Sequence, residues 1–329
     1  MSPRELDEDD VRSRPTRGTR PRSKQRPAHA DARAALVVAV DRGRITCALA
    51  DDPDREVVTV KARELGRKAV VVGDQVGVVG DLSGQPDALG RLVRIEPRST
   101  TLRRTADDSD PYERVIVANA DQMGIVVALA DPPPRVGLID RCLVAAYDAG
   151  VDPLLILTKS DLADPAPLLA SYRALDVPAI SIRRGADPTP VADLLQDRVT
   201  VFVGHSGVGK STLVNALIPS AHRATGHVNS VTGRGRHTST SVQATWLPGG
   251  GWIVDTPGLR SFGLAHVDRD RVVGAFSDLA DGTQACPRSC SHDEPECGLD
   301  AWVAAGHTTQ ARLESLRRIL RAIDAESPG

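Results

Sequence analysis

Between residues 34 and 96 the apolar positions come in short runs, AALVVAV, ITCALA, EVVTVKA, AVVVGDQVGVV and GRLVRIEP, closed by Gly, Asp or Pro. Runs of this length without helical periodicity predict five short strands and a small barrel of the oligonucleotide-binding (OB) or SH3-like type. GDQV, from Gly73, sets a tight turn before an alternating strand. The pattern then changes. RVIVAN and QMGIVVALAD read as buried strands, and LIDRCLVAAYDAG as an amphipathic helix ending at Gly150. VDPLLILTKSDL is a strand running into a polar loop, APLLASYRAL a helix, VPAISI a strand, VADLLQ a short helix and RVTVFVG a strand. Strands alternating with helices predict parallel βαβ units covered on both faces. The pattern divides the chain into a charged tail (1–32), a barrel (33–105), an α/β unit (112–270) and a C-terminal module (271–329) with an Arg-rich helix from about Thr308 to Ala325.

Composition changes this picture in three places. Aromatic residues are 3% of the chain, so the cores must be built from Val, Leu, Ile and Ala, and the barrel has no aromatic stripe for stacking bases. The net charge of -2 excludes a polycation, but Arg12, Arg14, Arg17, Arg20, Arg22, Lys24 and Arg26 follow one another without an acid. Such a segment lacks the apolar surface to offset ordering entropy. It reads as a disordered tail, either solvated or in contact with nucleic-acid phosphates. No apolar run is long enough to span a bilayer and no signal peptide opens the chain, so a cytoplasmic protein is expected. Cys47 and Cys142 lie in apolar segments as core thiols, and an odd count of five argues against a disulfide framework.

GHSGVGKS (204–211) fits the phosphate-loop pattern G-x-x-x-x-G-K-[ST], between the strand TVFV and the helical segment STLVNALI. The glycines Gly204, Gly207 and Gly209 let backbone approach phosphate, and the N–H groups through His205, Ser206, Val208 and Thr212 surround the anion. Lys210 is expected to bridge the β- and γ-phosphates and the Ser211 hydroxyl to ligate Mg²⁺. DTPG follows a β-run some fifty residues on. Its Asp255 would hold Mg²⁺ through water and its Gly258 N–H would meet the γ-phosphate. Between these motifs, GRGRHTSTS offers Thr238 and Thr240 as the switch hydroxyl, and the sequence does not choose between them.

TKSD (158–161) ends the strand LLIL. A carboxylate at Asp161 can accept two hydrogen bonds from guanine, a pair that adenine does not offer, and Lys159 would lie over the base beside Ser160. Alone, four such residues are equally a strand-to-helix turn with a capping Asp. The usual first residue is Asn, and the Thr158 hydroxyl can still brace the loop. Ser181, after the next strand, would reach the base edge through backbone. These base-reading segments precede the phosphate loop, and no [NT]KxD follows Asp255. A parallel sheet keeps its fold when its ends are joined and reopened elsewhere.

With the barrel ending in EPRSTTLRR, ANADQ at 118–122, TKSD, GHSGVGKS, GRGRHTST, DTPGLRSFG and a Cys/His cluster in this order, the chain resembles the circularly permuted RsgA (YjeQ) family of small ribosomal subunit assembly GTPases. The resemblance covers about residues 34–325. It implies a multi-domain protein: an N-terminal OB-type β-barrel, a circularly permuted α/β P-loop GTPase domain and a small C-terminal zinc-binding helical domain. It further implies GTP/GDP and Mg²⁺ as ligands, a monomer, and hydrolysis stimulated by the small ribosomal subunit and its rRNA.

Cys286-x₃-Cys290-x-His292-x₄-Cys297 supplies three thiolates and one imidazole, a closed tetrahedral Zn²⁺ set with no open position, so its role is structural. The family usually has one residue more in the first and last gaps. Many GTPases orient the attacking water with a Gln after DxxG. Here that position is Leu259, so the polar group must come from elsewhere, and His237 beside the switch threonines is the candidate. Two other readings remain: an RNA-binding scaffold in which nucleotide is structural, and an ATPase, against which Asp161 argues.

Overall fold

Strands β1 (Arg33–Asp41), β2 (Arg44–Leu49), β3 (Asp52–Lys61), β4 (Gln75–Gly80) and β5 (Gly90–Ile95) close the expected barrel in the order β1-β2-β3-β5-β4-β1. Only β3 and β5 run parallel. Closure removes the sheet edges. It leaves a core of small aliphatic residues, with Val37, Cys47, Leu49, Val78 and Leu92 wholly buried. Burial pushes the Cys47 thiol up to about 11. The structure, a computed structural model, describes residues 29–66, 68–105, 113–218, 242–256, 264 and 267–324. The basic tail, His237, Thr238, Thr240 and Gly258 lie outside them.

β6 (Thr101–Thr105) and β7 (Glu113–Ala118) form a separate antiparallel ribbon. The RVIVAN run therefore does not enter the parallel sheet. Its Val115 and Ile116 are only half-buried, and Val117 bridges Val72 of the barrel. One apolar side suffices for a strand laid against a neighbour, whereas a central parallel strand buries both faces.

The α/β sheet holds β8 (Gln122–Ala128), β9 (Asp152–Thr158), β10 (Ala179–Ile182), β11 (Val199–Val203), β12 (Gln243–Trp246) and β13 (Trp252–Asp255) in the order β10-β9-β8-β11-β13-β12. All run parallel except β12. Alternate residues serve opposite faces. Ile125, Val127, Leu155 and Leu157 join a core under α1 (Val136–Ala149). Val126, Ala128, Leu154 and Ile156 join another with α3 (Thr189–Leu195) and α4 (Lys210–Leu217). α1 ends where expected, at Gly150, whose left-handed backbone (φ 67°) returns its N–H to the Ala146 and Tyr147 carbonyls. α2 (Ala166–Tyr172) links β9 to β10. β12 also touches β1 at Ala39↔Gln243, so barrel and sheet share one ladder.

The C-terminal module holds α5 (Arg269–Gly274), α6 (Ser277–Ala280), α7 (Gly298–Ala304) and α8 (Gln310–Asp324). Leu313, Leu316, Leu320 and Ile323 recur at helical spacing on α8 and are buried against α1. The arginines of α8 are held by intramolecular acids: Arg312 by Asp278, Arg317 by Asp300, Arg318 by Asp140 and Arg321 by Asp293.

Candidate nucleotide site and metal centre

The phosphate loop leaves the C-terminal end of β11, at the centre of the sheet, and enters α4. Gly204 passes so close to β8 that a Cβ there would stand 2.5 Å from the Val126 carbonyl oxygen. Gly209 takes a left-handed backbone (φ 93°) at the N-cap of α4 and provides no side-chain cap. The helix therefore presents its first N–H groups to an anion, and this cradle fits a polyphosphate. Lys210 Nζ lies 2.8 Å from Asp255 Oδ1, at the end of the adjacent strand β13, and 3.4 Å from the Thr256 carbonyl oxygen. Ser211 and Thr212 are exposed on the first turn of α4, and Ser206 and Gly207 at the tip of the loop. Val208 is buried. His205 points its Nδ1 at the Ser206 carbonyl, 2.6 Å away.

TKSD reaches the same loop from β9. The Thr158 hydroxyl donates to the Val208 carbonyl at 2.5 Å and lies 3.3 Å from that of Val127. Lys159 has a left-handed backbone (φ 58°) and donates from Nζ to the Asp131 carbonyl. Asp161 is exposed and accepts from the Arg184 backbone N–H at 3.4 Å, while Ser160 N–H faces the Ile182 carbonyl at 3.4 Å. Ser181 sits on β10 opposite Leu157. GHSGVGKS and TKSD thus meet at the C-terminal ends of the parallel strands β11 and β9, with β8 between them, where open α/β sheets bind ligands. Asp131, Arg184 and Thr256 are contributors that motif reading missed. Only Thr256, inside DTPG, carried a sequence signal.

In the C-terminal module, Cys286 Sγ lies 3.6 Å from His292 Nδ1 and 3.9 Å from Cys297 Sγ, and Cys297 Sγ lies 3.9 Å from Nδ1. All four ligand atoms, Cys290 included, fall within 4.8 Å of one another. Tetrahedral zinc with Zn–S of about 2.3 Å and Zn–N of about 2.0–2.1 Å needs edges of about 3.6–3.8 Å, so the set fits. Left-handed residues Ser289 (φ 60°) and His292 (φ 67°) turn the loop tightly enough for its short gaps. Burial, then Arg269, holds the His292 ring below its ordinary pKa and favours the neutral, ligating form. Burial pushes the Cys290 thiol up to about 12, a balance that a dication reverses. Glu294 accepts from the Ser291 N–H at 3.0 Å and from Cys290 Sγ at 3.2 Å, bonds that hold its carboxyl down at about 2.

In sheet order β8, β9 and β10, the last two carrying TKSD and Ser181, lie to one side of β11, yet all three precede it in the chain. The family model described as RsgA GTPase matches residues 95–265. The chain belongs to the RsgA GTPase family. A small ribosomal subunit biogenesis GTPase RsgA from Pseudomonas fluorescens Pf-5 is 42% identical over 269 residues, 79% of this chain and 76% of the relative. One from Pseudomonas aeruginosa LESB58 is 40% identical over 265 residues, 78% and 76% of the two chains. The crystal structure of YjeQ from Thermotoga maritima superposes with a TM-score of 0.65 at 25% identity, covering 88% of this chain and 98% of that one. YloQ, a circularly permuted GTPase, superposes at 0.64 and 23% identity, covering 93% and 99%, and shares the fold. As an RsgA-family GTPase the protein is a GTP hydrolase using GTP, GDP and Mg²⁺, and its Cys₃His cluster suits Zn²⁺.

Proposed function

We propose that this GTPase assists late assembly of the small ribosomal subunit, as a cytoplasmic monomer whose hydrolysis the subunit stimulates. The barrel (33–105), the zinc module (271–329) and the basic N-terminal segment reach rRNA, and residues 112–270 form the nucleotide-driven unit. The observation that carries this reading is the order of β8–β10 ahead of β11 in one sheet, together with relatives named for subunit biogenesis.

The roles rest on the motifs, supported for the described residues by the geometry of the phosphate loop. Backbone N–H groups from Gly204 to Thr212 cradle the β- and γ-phosphates, with Lys210 between them. Asp161 accepts from the guanine N1–H and 2-amino group, Lys159 covers the base, and Ser160 and Ser181 line its edge. Ser211, Asp255 and one of Thr238 and Thr240 hold Mg²⁺, which neutralises phosphate charge when bound. Gly258 N–H meets the γ-phosphate. His237 orients a water that attacks the γ-phosphorus. The bond from that phosphorus to the β–γ bridging oxygen breaks, leaving GDP and inorganic phosphate. Cys286, Cys290, His292 and Cys297 hold Zn²⁺.

The test is GTP turnover with and without purified small subunits, with ATP as control. Slow turnover alone and GTP-specific acceleration of about 10³-fold or more are expected, by analogy with other GTPases activated in trans. His237→Ala should lose the acceleration and keep GTP binding. GTP binding without acceleration would favour the scaffold reading instead.

A further inference from the structure

At the end of the parallel sheet opposite the phosphate loop, where β8, β9, β10 and β11 begin, lies a cleft of about 540 Å³. That is within the ~300–1,000 Å³ of ordinary binding pockets. The C-terminal module forms one wall with Phe276 and Arg312, and the α/β sheet forms the other. Leu154 and Phe276 give it an apolar floor, and Leu194 of α3 continues that surface outward at 39% exposure.

The charges of the cleft do not balance. Arg198 is committed to Asp152 at 2.9 Å, and Arg312 to Asp278 at 3.1 Å and to the Ala174 carbonyl at 2.8 Å. Asp176 and Asp193, both exposed on the rim, have no side-chain partner among the described residues. Deeper in, Gln122 is 7% exposed; its Oε1 accepts from Thr200 at 3.1 Å, and its Nε2 donor has no partner among the described residues. An apolar floor, two uncompensated carboxylates and an unpaired amide donor define the chemistry of an occupant.

We propose that this cleft docks a basic, partly aliphatic protein segment. An Arg or Lys reaches Asp176 and Asp193, an adjacent aliphatic side chain covers Leu194, and Gln122 Nε2 donates to a backbone carbonyl. Nucleic acid does not suit the site, because free carboxylates repel a phosphate backbone. A small cation would leave Leu194 uncovered. This inference rests on the small-subunit reading, which makes the occupant part of a basic protein of that subunit.

The experiment uses the full chain with purified small subunits. Asp176→Lys combined with Asp193→Lys reverses the rim charge far from the phosphate loop. It should weaken co-sedimentation at least tenfold and leave subunit-free GTP turnover unchanged. A benzophenone amino acid in place of Leu194 should photocrosslink to a subunit protein, giving a product sensitive to protease and resistant to ribonuclease. Both results together support the cleft. If the wild-type chain does not sediment with subunits, the assembly reading fails and this partner with it. If it does, and the variant binds equally or the crosslink goes to rRNA or to nothing, the docking inference alone is overturned.

Discussion

Arg98 grips Asp74 with two prongs, Nε to Oδ1 at 2.7 Å and Nη2 to Oδ2 at 2.9 Å, and the carboxylate is wholly buried. Asp74 also accepts from the Val71 N–H at 2.9 Å. One residue along, the Ser99 N–H donates to Asn119 Oδ1 at 2.8 Å, and Asn119 Nδ2 returns to the Gly73 carbonyl at 2.9 Å. The GDQV turn, the EPRST segment and ANADQ therefore form one node where the barrel joins the α/β sheet.

Breaking a buried pair from one side strands the other charge, at a cost of several kcal/mol. Arg98→Ala is expected to lower stability by about 3 kcal/mol, at the lower end of ~3–5, because Val71 still serves Asp74. Gly73→Ala should cost at least as much. Its backbone is left-handed (φ 88°), and a Cβ there would stand 2.0 Å from the Ala118 carbonyl oxygen. Urea unfolding midpoints decide this, and a midpoint unmoved by Arg98→Ala would show the pair to be inert.

Thr158 connects the TKSD loop to the phosphate loop through one hydroxyl proton. Thr158→Val keeps the shape, removes the donor and leaves the Val208 carbonyl without this partner. A lost hydrogen bond of this kind costs about 1–2 kcal/mol, or roughly tenfold in GTP affinity. Thr158→Ser retains the hydroxyl and should bind near the wild-type level. Titration with a fluorescent GTP analogue separates the two variants, and equal affinities would remove Thr158 from the brace.

Motifs whose chemistry is local were legible in the sequence. GHSGVGKS lies between β11 and α4 because a glycine loop of that spacing has few other uses, and the four zinc ligands converge because they are close in the chain. What was hidden depends on distant partners. RVIVAN has the composition of a core strand, yet it pairs with β6 in a ribbon, and its Val117 is bridged by Val72, 45 positions earlier in the barrel. The helix α8 is Arg-rich in sequence, and its partners Asp140, Asp278, Asp293 and Asp300 are seen only in the fold. No periodicity reports such pairings.

The zinc loop and α8 are tied together. Arg317, only 8% exposed, donates from Nε to the His292 carbonyl at 2.8 Å and from Nη2 to Asp300 at 2.7 Å. Metal loss should therefore loosen α8 from α1 as well as the ligand loop, because a closed Cys₃His site contributes folding energy directly. The His292 ring, held below its ordinary pKa by burial and Arg269, binds a proton less readily folded than unfolded. Stability from this group is thus present above the unfolded value of ~6.5 and is lost as pH falls through the lower folded value. Zinc retention is expected to hold at neutral pH and to fail on acidification, with His292→Ala releasing metal at higher pH than wild type. A colorimetric zinc-release titration gives the first readout, and hydrogen exchange along α8 gives the second. Release of zinc with α8 protection unchanged would separate the helix from the metal.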